Sequence, residues 1–200
     1  MIQSVKKEWK EELSFAQICE QASKEEITSL VDCNDDCFLA PKSMIEAVQT
    51  FCRESNQQIP ETIGEIAAVI YNSLAKCYGE TIREIEEITG NTYDTIYVVG
   101  GGANAGYLNE LTAKYTKKKV SAGPTEATAI GNITVQMLHD GVFTSLFGAR
   151  KQSSLQSTKE VISSLDACSH ICAKESSSFH SFLTDWIIHS PMMFFRKRKR

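Results

Sequence analysis

Gly100, Gly101 and Gly102 close the β-branched run Ile96-Tyr97-Val98-Val99 and precede a helical pattern that starts near Ala105. Consecutive glycines lose much conformational entropy on folding, so a chain keeps them where it needs positive φ or close backbone approach to a ligand. The helix behind them offers unpaired N–H groups and the positive end of its dipole, both suited to a phosphate. The pattern points to nucleotide binding. A tight structural turn is the alternative, because short glycine patterns have little specificity by themselves.

Gly100, Gly102 and Gly106 also fit G-x-G-x-x-x-G, a variant of the dinucleotide fingerprint. A nicotinamide site would want a carboxylate for the ribose at the end of the next strand. That strand is led by Lys117-Lys118-Lys119 and ends in Ser121-Ala122-Gly123-Pro124, with no acid before Glu126. The arrangement disfavours an NAD-dependent oxidoreductase. In the second segment Gly123-Pro124 predicts a turn and Thr125 an N-cap, while Ala127, Ala129 and Gly131 give the new helix a side with almost no bulk. Such a side either packs closely on a sheet or leaves room for a flat base.

Other reactive side chains form weaker constellations. Cys168-Ser169-His170-Ile171-Cys172, with His180 and His189 beyond, has the residue types for zinc but not the C-x₂-C spacing of standard sites, so no metal site is predicted. No residue is assigned a catalytic role. Asp32, Asp35, Asp36 and Asp94 read as solvated turn residues, and His139 as a favourable charge at a helix C-terminus.

Composition narrows the class. Two hundred residues with 42% hydrophobic content allow one domain or a little more with a real core. The net charge of -4 includes the basic run Arg196-Lys197-Arg198-Lys199-Arg200; with it set aside the body is clearly acidic, which argues against nucleic acid as a partner. Seven cysteines are an odd and sparse set, as expected for reduced thiols in the cytoplasm. The apolar stretch from Trp186 to Phe195 is interrupted by His189 and Pro191, too short for a membrane span.

The elements that must position the glycines follow from periodicity. Residues 2–30 predict one or two helices, with Val5, Trp9, Leu13, Ala16 and Ile18 on one face and Ser23-Lys24-Glu25-Glu26 starting the second. Residues 31–41 read as a turn-rich connection and 42–54 as a third helix. Pro60 introduces the longest helix, whose stripe runs from Ile63 through Ile70, Ile82, Ile85 and Ile88 to a stop at Gly90-Asn91. A strand at 95–99, a helix at 105–115, a strand at 119–122 and a helix at 125–139 complete an α/β pattern with parallel strands and a right-handed crossover. Beyond Lys151 serines crowd the chain, periodicity weakens, and no packed element is predicted.

At these residues the chain resembles the FGGY carbohydrate kinases, and within them the branch that phosphorylates L-rhamnulose. VVGGGANAGYLNELTAKYT followed by VSAGPTEATAIGNITVQML looks like that family's C-terminal ATP-binding segment. PETIGEIAAVIYNSLAKCYGETIREIEEITG is similar to the long helix before it, and Asn34-Asp35-Asp36-Cys37-Phe38 with Cys52-Arg53-Glu54-Ser55 to the stretch upstream. The resemblance implies an actin-like ATPase (ribonuclease H-like) fold of which 1–142 is a partial C-terminal ATP-binding lobe, with 143–200 a divergent, Ser-rich and poorly ordered tail. It implies ATP as ligand, with Mg²⁺ carried by ATP rather than by a protein side chain, and L-rhamnulose as acceptor of the γ-phosphoryl group. Carried over residue by residue, Gly101 is the main nucleotide contact, with Gly100 and Gly102 beside it and Gln3 as a further one.

The same resemblance implies that the catalytic aspartate and the N-terminal lobe lie upstream of Met1, so the chain alone is expected to be inactive. Missing strands are expected to leave an unpaired sheet edge and to promote self-association. The alternative is a non-catalytic fragment or interaction module in which the glycine turn is purely structural.

Overall fold

A computed structural model describes residues 1–149, 151, 160–162 and 192–197. The chain begins with three helices, α1 (Ile2–Glu8), α2 (Phe15–Ala22) and α3 (Met44–Glu54). A reciprocal capping box starts α2: the Gln17 N–H donates to Ser14 Oγ at 3.2 Å and the Ser14 N–H to Gln17 Oε1 at 2.8 Å. The second helix therefore ends at Ser23 instead of starting there, which corrects the sequence expectation. The non-helical residues between α1 and α2 also reset the phase of the expected stripe. Val5 and Ile18 are buried, Trp9 and Leu13 half-buried, and Ala16 is exposed.

Glu8, the last residue of α1, caps α3 across the chain. The Met44 N–H donates to its Oε1 at 2.8 Å, and Ser43 Oγ and the Ile45 N–H donate to Oε2 at 2.8 and 3.3 Å. A carboxylate in that position satisfies orphan donors and meets the positive end of the helix dipole. Partial burial pushes the Glu8 carboxyl up, but the donors from Met44, Ser43 and Ile45 more than offset it and hold the group below its ordinary range.

The organising element is α4 (Ile63–Thr89), 27 residues long. Thr62 and Glu65 cap it reciprocally, and Gly90 at φ +62° ends it in the left-handed conformation. Its first half is enclosed: Ile63, Ile66, Val69 and Ile70 are all buried, in one cluster with Val5, Ile18, Val48, Cys52 and Leu111. The second half is amphipathic, and the expected stripe fades, with Ile82 buried, Ile85 half-buried and Ile88 85% exposed.

After α4 come β1 (Tyr93–Val99), α5 (Gly106–Thr116), β2 (Lys119–Ala122) and α6 (Ala127–His139). β1 and β2 pair in parallel, Ile96 opposite Val120 and Val98 opposite Ala122, with α5 as the crossover. Ile96, Val98 and Val120 meet Ala113 of α5 in a second apolar cluster. Two further strands, β3 (Glu160–Ile162) and β4 (Met192–Lys197), give the sheet the order β3-β2-β1-β4. Both added pairings are antiparallel, Val120 opposite Ile162 and Ile96 opposite Phe195.

The outer strands move the sheet's unpaired edges from β1 and β2 to β3 and β4, and they place two strands after Lys151 where no packed element is predicted. Glu160-Val161-Ile162 and Met192-Met193-Phe194-Phe195 are short runs of strand-favouring residues without periodic context, which hides them from pattern reading. The expected poor order elsewhere in the tail, and the Cys168, His170, Cys172, His180 and His189 constellation, lie outside the described residues. Among the described residues no helix is long and apolar enough to cross a membrane.

Candidate nucleotide site

The three glycines leave the C-terminal end of β1. Gly100 holds φ +77° and ψ -163°, a region in which a residue with a β-carbon is strained. A Cβ built there would meet nothing within 4 Å, so conformation rather than crowding demands the glycine. Gly101–Asn104 then form a single 3₁₀ turn, with the Ala103 N–H on Gly100 O at 3.0 Å and the Ala105 N–H on Gly102 O at 3.1 Å. Directly after it α5 starts at Gly106 with no side-chain cap, which leaves its first donors without a side-chain partner.

A second loop, following β2, is joined to the first. The Gly123 N–H donates to Val98 O at 2.8 Å and the Gly100 N–H to Pro124 O at 3.2 Å. Thr125 Oγ1 donates to Asn104 Oδ1 at 3.1 Å. Thr125 is thus a bridge between loops and not the predicted N-cap: α6 starts two residues later at Ala127, its N-cap is Glu126, and no side chain caps it. Two uncapped helix ends and two cross-linked loops lie outside the carboxyl ends of parallel strands, the position where open α/β sheets bind ligands.

The lean side of α6 faces outward. Ala129 and Gly131 are exposed, a Cβ at Gly131 would meet nothing within 4 Å, and Thr134 alone of the α6 residues is buried. Close helix-to-sheet packing is therefore not what Ala129 and Gly131 do. The groups bridging the loops are neutral amides, a hydroxyl and backbone; the carboxylate of this rim is the exposed Glu126.

Gly100, Gly101 and Gly102 stand together in this rim. Gln3 belongs to another part of the molecule's framework, α1, which packs on α3 and α4, and its side chain is half-buried. Asn104, Thr125 and Asn109 are components that sequence reasoning did not single out as site residues. Asn109, 2% exposed, donates from Nδ2 to Ala103 O at 3.0 Å. It lies on the side of α5 that carries the buried Thr112 and Ala113, three and four residues on. Among the described residues no group of three or more His, Cys, Asp or Glu side chains is placed to hold a metal.

Residues 2–139, which include both loops and α1 to α6, match the FGGY family of carbohydrate kinases, C-terminal domain. The rhamnulokinase of Oceanobacillus iheyensis is 47% identical over 138 residues, 69% of this chain and 29% of that protein. The rhamnulokinase of Halalkalibacterium halodurans is 44% identical over 151 residues, 76% of this chain and 32% of its own length. That of Bacillus subtilis is 43% identical over 139 residues, covering 69% and 29%. The chain spans about a third of the length of these curated relatives. Its mixed α/β architecture is that of part of an actin-like ATPase fold. With the match running from α1 through α6 and both loops inside it, the chain belongs to the FGGY family of carbohydrate kinases, as a C-terminal domain.

Proposed function

We propose that this chain is the nucleotide-binding C-terminal domain of an ATP-dependent sugar kinase that phosphorylates L-rhamnulose at its 1-hydroxyl. The observation that carries the reading is the pair of cross-linked loops at the carboxyl ends of β1 and β2, with Gly100 at its root in a conformation that glycine adopts freely. ATP lies along Gly100, Gly101 and Gly102, where absent side chains let the backbone approach it, and Gly101 is the principal contact. Gln3 is a second, separate contact carried over from the family resemblance. Mg²⁺ arrives with ATP and takes no protein ligand from the described residues.

Phosphoryl transfer rests on positioning and on stabilising charge at an oriented nucleophile. The residues of this chain bind and orient the nucleotide; the base that takes the sugar hydroxyl's proton belongs to the family's other lobe. These 200 residues by themselves therefore give no turnover. Free thiols at Cys19, Cys33, Cys37, Cys52 and Cys77 support a cytoplasmic location.

A second reading has one observation in its favour. Ala103, Ala105, Asn109 and Thr125 supply hydrogen bonds that hold the turn together without any ligand. Under that reading the domain is a non-catalytic interaction module and the glycines are purely structural. Titration calorimetry with MgATP separates the two. Under the kinase reading the chain binds and Gly101→Val abolishes the heat; a chain that shows no heat, or a variant that binds like the parent, sinks it.

A further inference from the structure

Asn109 sits on a buried side of α5, 2% exposed, with the fully buried Thr112 and Ala113 three and four residues on, where a polar side chain must find a partner. Its Nδ2 donates to Ala103 O at 3.0 Å, while its main-chain N–H closes the first turn of the helix on Ala105 O, also at 3.0 Å. Ala103 is the third residue of the Gly101–Asn104 turn. The side chain grips that turn from beneath, and Thr125 holds it from the side at Asn104.

Such a turn needs the grip. A single 3₁₀ turn has few bonds of poor geometry, and this one begins with glycines, which lose the most freedom on ordering. A bond from a packed helix to the middle of the turn restricts it before any ligand arrives, and pre-ordering lowers the entropic penalty of binding. Asn109 reaches the turn through Ala103.

We propose that Asn109 is a positioning residue for the nucleotide: through Ala103 it fixes Gly101 and Gly102 in the arrangement their backbone presents to the ligand, without touching the ligand. The inference rests on the nucleotide reading of the glycine turn.

The test measures MgATP dissociation constants by calorimetry, and melting temperatures, on the full chain and three variants: Asn109→Ala, Asn109→Leu and Thr112→Val. Thr112 is fully buried on the same helix and its Oγ1 donates to Leu108 O at 2.7 Å, so its variant reports a general loosening of α5. Both Asn109 variants are expected to weaken MgATP binding about tenfold, the equivalent of one buried hydrogen bond. Thr112→Val, of comparable melting temperature, is expected to stay within about twofold of the parent. Parent-like binding by the Asn109 variants overturns the proposal, as does equal weakening by Thr112→Val. Loss of folding in both Asn109 variants also overturns it, since Asn109 would then be a core residue. A parent chain that binds no MgATP instead removes the nucleotide reading itself, a result distinct from a binding parent with unaffected Asn109 variants.

Discussion

Gly100 is the residue on which the two loops turn, and its conformation makes a direct prediction. Alanine there meets no neighbour, so the whole penalty is backbone strain, about 1–3 kcal/mol for a region that only glycine visits freely. Urea denaturation of Gly100→Ala should show a loss of that size with an unchanged m-value. The glycines were legible because three in a row are rare and each side of them has a clear period. Thr125 was misread because a Thr after Gly-Pro looks like a cap, and only the position of Asn104 across the gap reveals what its hydroxyl does. That Asn109 is buried could be read from the period of α5, but not its contact with the turn, since the partner is the main-chain oxygen of Ala103.

Glu8 supplies a second prediction at this scale. Its folded-state pKa, like that of Glu86, is held below the unfolded value of about 4.3, so the stabilisation is full above that pH and is lost as pH falls through the folded-state value. The melting temperature should decline below about pH 5. Glu8→Gln should lower it at pH 7 and flatten the decline; an unchanged pH profile would show that the α3 cap contributes nothing.

At the scale of elements, the glycine turn is placed by how α5 sits on α4. Tyr71 and Tyr107 meet edge to face, ring centroids 6.0 Å apart, and a Cβ on Gly79 would stand 3.3 Å from Tyr115 O. Gly79→Val must push α5 outward, and we expect a loss of about 1–3 kcal/mol in thermal or chemical unfolding, together with weaker MgATP binding. At the far end of the crossover Lys118, 11% exposed, donates to Glu86 Oε1 at 2.7 Å and to Tyr93 O at 2.8 Å, while the Tyr93 N–H donates to the same Glu86 oxygen at 2.8 Å. Burial raises the Glu86 carboxyl, but Lys118 and the Tyr93 donor outweigh it and hold the group down. Lys118→Met should destabilise the chain by about 2 kcal/mol, because it leaves Glu86 half-paired. The order of elements from α3 to α6 was readable in the sequence, since period, caps and turn residues agree there. The start of the second helix was not, because Ser23-Lys24-Glu25-Glu26 has the composition of an N-terminus while Ser14 and Gln17 already provide one.

At the scale of the whole molecule, two surfaces differ from what the pattern implied. The inner sheet edges are occupied, whereas Ile133, Val135, Val142 and Phe147 are each more than half exposed in and after α6. Self-association, if driven by exposed apolar surface, should therefore run through α6 and its continuation and not through β1. Sedimentation velocity should show concentration-dependent association that Val135→Ser with Phe147→Ser relieves; an unaltered profile for the double variant would place the contact elsewhere.

The strand order also sets a timetable for the chain as it is made. β1 lies between β2, completed soon after it, and β4, which follows about ninety residues later. At translation speeds of about 5–20 residues per second, one side of β1 waits about 5–20 s for its neighbour to leave the ribosome. During that interval Ile96 and Val98 sit in a strand with one bare flank, a substrate for chaperones and for other nascent chains alike.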